Sequence, residues 1–373
     1  MKRNKTLVFT LTLLVLALMV FSCSKKTTEP EIQTVATPTF TPPAGTYTSV
    51  QYVTISSATS GATIRYTTNG TEPTESSPQY TTPIVVNASV TLKAKAFRNG
   101  WNPSPVASAS YNVSLMVGIA GGPYTMGDIR GVGYYWEHPS HPVTVNSFYI
   151  SKSLVTQGEY QAIMGINPAS GYGVGANYPV YNVSWYSALK YSNLRSMAEG
   201  LTPVYSIAGS TNPADWGVVP YAENATWDAV ISNWNANGYR LPTEAEWELA
   251  ARGGSNTPDY LYSGSDDIDA VAWYWGNNTP QGTKPVATKA PNSLGLYDMS
   301  GNILEWSWDW YDSAYYDTSP TDNPKGPDSG THRSLRGGGW DYDAIDCRVS
   351  SRDFAKQWEI STGIGFRVVR SAL

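Results

Sequence analysis

The strongest constraint on this chain lies in its last third, where glycine-rich blocks carry tryptophan and arginine: GLYDMSGNILEW (Gly295 to Trp306), RGGGW (Arg336 to Trp340) and GIGFRVVR (Gly363 to Arg370). A further block, YRLPTEAEWELAARGG (Tyr239 to Gly254), precedes them. In it Thr243 and Glu246 have capping-box spacing, Trp247, Ala250 and Ala251 form one apolar stripe, and Gly253-Gly254 stops the helix. Upstream, Val143, Val145 and Phe148 alternate as in a strand. After Thr156, Tyr160, Ile163 and Met164 then fall at i, i+3 and i+4 of a helix. Ser184 caps a second helix whose expected apolar face is Trp185, Ala188, Leu189 and Met197, ending at Gly200. Strand-like and helical patterns within one stretch place residues 115–373 in the α+β class.

From Thr37 to Val113 the pattern changes to strict alternation. Tyr52 to Ile55, Thr63 to Tyr66 and Val90 to Phe97 have period two, separated by the turn signals Ser60-Gly61 and Asn69-Gly70. Short strands at this spacing read as a small all-β sandwich over 37–113. Ahead of it, Lys2, Arg3 and Lys5 precede the apolar stretch Thr6 to Phe21, which has the length of a signal peptide rather than of a membrane span. Val20-Phe21-Ser22-Cys23 resembles a bacterial lipobox, which implies removal of 1–22 and a lipid on Cys23. Residues 23–36 are polar and lack apolar periodicity, as expected of a tether. The expected location is therefore the bacterial cell envelope, lipid-anchored at the outer membrane or cell surface.

A chain of 373 residues, 41% hydrophobic and 15% charged, is globular and long enough for more than one domain. With the three leader cations set aside, 22 basic residues face 30 acidic ones, which gives no electrostatic case for a nucleic-acid partner. Once Cys23 is lipidated, Cys347 has no disulfide partner in the chain.

The blocks at 141–165, 178–194, 239–254, 295–306 and 336–370 together resemble the formylglycine-generating enzyme (sulfatase-modifying factor) family, a branch of the C-type-lectin-like fold. Likewise IRYTTNGTEPTESSPQY (Ile64 to Tyr80) resembles the immunoglobulin-like module at the C-terminus of chitobiases and β-hexosaminidases, an accessory that implies a spacer without catalytic residues. The first resemblance implies calcium held by the side chains of Asp298 and Glu305 and the backbone oxygens of Gly301 and Ile303. Hard oxygen donors of this kind suit that ion. A second family site would need an Asn where Val271 stands, so one calcium is expected.

The family's reaction oxidises a substrate cysteine with two cysteines five residues apart that hold Cu(I) as thiolates. Here the first position is Tyr342, and Cys347 stands either at the second or, with Arg348 and Val349, in a structural stretch nearby; either way one ligand is lost, so neither a copper site nor the family's oxidase activity is expected. Cys347 stays a candidate nucleophile only for an enzyme of altered chemistry, in which Asp346 would oppose and Arg348 would favour the thiolate. His138 and His141 lack a third ligand at zinc spacing.

Between the framework blocks RGGGW and GIGFRVVR lies DYDAIDCRVSSRDFAKQWEIST (Asp341 to Thr362), a run of chemically unrelated residues. This arrangement resembles the variable proteins of diversity-generating retroelements. Asp341, Tyr342, Asp343, Ile345, Asp346, Asp353 and Phe354 can each arise from an Asn codon by changes at adenines. With Trp358 they form the candidate ligand-binding set, and Tyr342, Phe354 and Trp358 are expected to be exposed anchors. Trp 14 and Tyr 26 against Phe 7 agree with a recognition surface, although core tryptophans belong to the resembled fold. The expected function is a surface lipoprotein that binds an extracellular protein or glycan. The alternatives are a superfamily enzyme of altered chemistry and a structural envelope protein.

Overall fold

Alternate residues of the strands Gln51–Ser56 and Val90–Phe97 turn inward, burying Val53, Ile55, Leu92, Ala94 and Ala96. The computed structural model describes residues 32–47, 51–86, 89–113, 115–255 and 257–372; Cys23 and its leader lie outside them. A sheet ordered Thr39–Thr41, Gln51–Ser56, Ile84–Val86 packs on one ordered Gly45–Tyr47, Ala107–Val113, Val90–Phe97, Thr63–Thr67. Val53, Val86, Leu92, Ala109 and Tyr111 fill the space between. At the Asn69-Gly70 turn, Gly70 takes φ +78° while the Asn69 side chain accepts from the Thr71 N–H.

The end of the expected tether belongs to this module instead. Val35 is 1% exposed and its N–H donates to the Asn102 carbonyl at 3.0 Å, while Asn102 N–H donates to Gln33. Burial of Val35, together with the backbone hydrogen bonds of Gln33, Val35 and Ala36, draws 33–36 onto the sandwich.

In the second domain the strands Tyr239–Arg240, Val369–Ser371, Phe148–Ser151 and Met116–Ile119 form one sheet, so its first and last strands flank the same central strand. A second sheet, ordered Arg352–Ala355, Arg333–Arg336, Leu304–Trp310, Ile364–Gly365, gathers three of the glycine-rich blocks. Helices run at Gln157–Met164, Trp185–Ala198 and Glu244–Ala251, capped by Thr156, Ser184 and Thr243. Gly253 and Gly254, at φ +84° and +100°, end the last of them.

The face of the middle helix differs from the expected one: Met197 is 45% exposed, whereas Tyr186, Tyr191, Ser192 and Asn193 are buried beside Trp185 and Leu189. Asn193 can be interior because its amide closes against the backbone of Tyr205 and Thr211. Trp185 and Trp306 are fully buried, and their indole N–H groups donate to the carbonyls of Ser307 and Val183, each at 2.9 Å. Truncating either would cost about 3–5 kcal/mol.

The two domains touch beyond their covalent link. Leu115 packs on the sandwich core and Met116 on the core of the second domain. The Tyr52 ring lies against Gly158 so closely that a Cβ there would come within 1.6 Å of the phenol oxygen.

Candidate functional site

Glycine sets the site's close packing. Gly337 and Gly338 have φ +98° and +69°, and a Cβ on Gly338 would stand 2.6 Å from the Cys347 sulfur. The tight crossing lets residues 341–351 fold back over the end of the strand Arg333–Arg336. The fold is fastened by Arg336 of the framework block and by Arg348 and Arg352, which stand between candidate residues in the sequence but point inward. Arg352 pairs bidentately with Glu244 at 2.7 and 3.0 Å. Arg336 reaches Glu244 at 3.2 Å and Glu248 at 2.6 Å, and Glu248 in turn holds Arg252. Arg348 pairs bidentately with Glu137, both contacts at 2.7 Å, and all of these side chains are buried or nearly so.

Between these fastened residues the candidates reach the surface. Asp341, Asp343, Ile345 and Phe354 are exposed, and Tyr342, Asp346, Asp353 and Trp358 are half-buried. Only Phe354 among the three aromatics stands out, 45% exposed and stacked on Tyr311 at 4.5 Å. Tyr342 and Trp358 differ from their expected exposure because both pack against the main core, so they are anchors of the face as much as contacts on it.

An open cleft of 220 Å³ lies in the middle of this face, lined by Tyr342, Asp346, Asp353 and Arg352 from the C-terminal blocks and by Tyr134 and Trp136 from far upstream. Tyr134 O–H donates to Asp346 at 3.2 Å, and Tyr342 O–H donates to Asp353 at 3.1 Å. Burial raises the Asp346 pKa, the Tyr134 hydrogen bond opposes this, and the charges of Asp343 and Asp353 raise it further. Tyr134 and Trp136 were missed by sequence reasoning. They sit beside EHPSH, whose Glu137 faces a partner more than two hundred residues away, and local spacing carries no sign of that pairing.

Cys347 lies beneath the cleft with no exposed surface. Burial, reinforced by the Asp346 charge, pushes its thiol up to about 12, and Arg348 turns away to Glu137. Cys347 is the free cysteine among the described residues, whereas a Cu(I) centre of the kind the sequence resemblance implies needs two thiolates.

Asp298 and Glu305 lie elsewhere, fully interior, and burial raises both carboxyl pKa values. Arg367 binds Glu305 bidentately at 2.6 and 2.8 Å, while Asp298 accepts from Ala287 N–H and the Asn302 amide. Arg367 reaches only the backbone carbonyl of Asp298, at 3.3 Å, so the Asp298 carboxyl has no ion-pair partner among the described residues, and each carboxyl oxygen has a second lone pair. The side chains of Asp298 and Glu305 and the backbone carbonyls of Gly301 and Ile303 are all hard oxygen donors, the chemistry that calcium takes. Among the described residues, no group of three or more His, Cys, Asp or Glu could hold a metal, here or elsewhere. His138 instead approaches Asp128 at 3.3 Å.

Comparison with known proteins agrees with this architecture. Residues 42–108 match the chitobiase/β-hexosaminidase C-terminal domain. A chaperone protein, LppX of Paenibacillus barcinonensis, is 40% identical over 61% of this chain and 82% of its own length. The formylglycine-generating enzyme of Streptomyces coelicolor is 31% identical over 72% of this chain and 96% of its own. A solved structure, Treponema denticola variable protein 1, superimposes with a TM-score of 0.62 at 34% identity, covering 72% of this chain and 96% of that one. Residues 103–372 match the sulfatase-modifying factor enzyme 1-like domain, and over that stretch, well above half its length, the chain belongs to the formylglycine-generating enzyme family.

Proposed function

We propose that this protein is a ligand-binding member of its family, held at the cell envelope by a lipid on Cys23, that grips a protein through the face built by residues 341–358. The supporting observation is the division of labour along that segment: arginines locked inward by buried carboxylates alternate with outward acids, Ile345 and Phe354 around an open cleft. Such a face can change its contacts while its scaffold stays fastened. The likeness to a chaperone and to a variable protein supports a protein ligand. Oxidation of a peptide cysteine is disfavoured, because the one thiol is sealed and its pKa lies near 12. Asp298, Glu305 and the carbonyls of Gly301 and Ile303 serve as a structural calcium site.

The test is capture from an envelope extract by the purified protein and by an Ile345→Asp, Phe354→Ala double variant. A protein held by the parent and lost by the variant, with melting temperatures within about 2 °C, is the expected result, since exposed substitutions of this kind change stability little. Equal capture by both would remove the face from the function. Anchoring is checked separately: the parent should partition into detergent and label with palmitate, and Cys23→Ser should do neither.

A further inference from the structure

Resting on that reading of the binding face, we propose that the cleft between Tyr134, Trp136 and Tyr342 receives a lysine or arginine side chain of the protein partner, with Asp346 and Asp353 as its counter-ions. The charges around the cleft are unbalanced. Arg352 lines it but is committed to Glu244, and Arg348 behind it is committed to Glu137. Among the described residues, no lysine or arginine lies within ion-pair distance of Asp346 or Asp353. Each of these carboxylates has a tyrosine hydroxyl as its side-chain donor, which leaves acceptor capacity on both. Burial and the neighbouring acids raise the Asp346 pKa, a cost that an incoming cation would relieve.

The walls agree with the charge. Tyr134 and Trp136 stack at 4.7 Å between centroids and 22° between planes, and Tyr342 lines the same cleft. Aromatic faces attract ammonium and guanidinium groups, most strongly where water is partly excluded. A volume of 220 Å³ suits one long side chain and is too small for a folded element. Outside it, Val132, Tyr135, Ile345 and Phe354 are exposed, Tyr135 by 74%. An apolar rim around an acidic cleft matches a chain segment with a basic residue flanked by apolar ones better than a free amine. Asp341 and Asp343 at the same rim would repel an acidic partner.

The experiment titrates the purified protein, labelled with ¹⁵N in its indoles, with N-acetyl-arginine amide, N-acetyl-lysine amide and N-acetyl-citrulline amide. The readout is the Trp136 indole resonance, assigned by its absence in Trp136→Phe. Arginine and lysine amides should shift it saturably, citrulline amide should need about tenfold more, and added salt should weaken the first two. In Asp346→Asn, Asp353→Asn, which keeps both tyrosine hydrogen bonds, arginine amide should fall to the citrulline level without change in melting temperature. Citrulline equal to arginine, no shift at saturating probe, or an unaffected double variant would each overturn the proposal. A nonapeptide with a central arginine between leucines should bind about tenfold tighter than arginine amide. Equal affinities would make this a free-amine site and overturn the protein partner. If the cationic arms fail while Ile345→Asp, Phe354→Ala still loses its captured protein, the binding face stands and this inference alone falls.

Discussion

With Gly338 pressed over it and Asp346 adjacent, the Cys347 thiol should be inert toward a disulfide reagent in the native protein and react fully once urea unfolds it. Thiol titration by absorbance checks this, and fast native labelling would reopen the nucleophile reading. Glu137 gives a second prediction at this scale. Burial raises its pKa, but the Arg348 ion pair outweighs that and holds it below the ordinary glutamate range. Its contribution is therefore complete above its unfolded value of about 4.3 and is lost as the pH falls through the lower folded value. The stability gap between the parent and Glu137→Gln should be about 3–5 kcal/mol near neutrality and should shrink on acidification, as urea unfolding at several pH values would record. That the chain has no second cysteine near Cys347 is read directly from the sequence. The sealing of the Cys347 thiol is not, since Gly338 closes over Cys347 only through the backbone turn at Gly337-Gly338.

The helix Glu244–Ala251 shows what an element can and cannot announce. Its capping box and apolar stripe are relations within eight residues, so Thr243, Glu246, Trp247 and Ala250 could be read from spacing. Glu244 and Glu248 look like solvated acids in the same string, yet both are buried because Arg336 and Arg352 arrive from about a hundred residues downstream. Glu244→Gln should accordingly cost about 3–5 kcal/mol in urea unfolding, the signature of a charge left behind in the interior. The same contrast divides the binding segment. The run of chemically unrelated residues between the framework blocks marked Tyr342, Phe354 and Trp358 alike as exposed, but could not distinguish Tyr342 and Trp358, whose rings also reach the core. Phe354→Ala should change stability by less than about 1 kcal/mol, whereas Tyr342→Ala should lose about 2–4 kcal/mol, both read by thermal melting.

At the scale of the whole molecule, calcium should raise the melting temperature and a chelator should lower it. At a concentration a hundredfold above Kd the gain is about 2.7 kcal/mol. Because burial raises the Asp298 and Glu305 pKa values, the ion-free protein holds extra protons and loses stability as the pH rises toward those values; the ion displaces them. The calcium effect should therefore be larger at pH 8 than at pH 5 and vanish in Asp298→Ala, Glu305→Ala; a parent whose melting ignores calcium would refute the site. Calorimetry should also show the sandwich and the second domain unfolding in one transition, which Gly158→Val should split by forcing Tyr52 out of its seat.

That seat has a mechanical consequence. A tyrosine wedged against a helix, next to Leu115 and Met116 packed on the cores of different domains, stiffens the junction between the sandwich and the second domain. Under the proposed function, a tug on a captured partner would travel as through a stiff strut, and the sandwich would fix the direction in which the face points as well as its height.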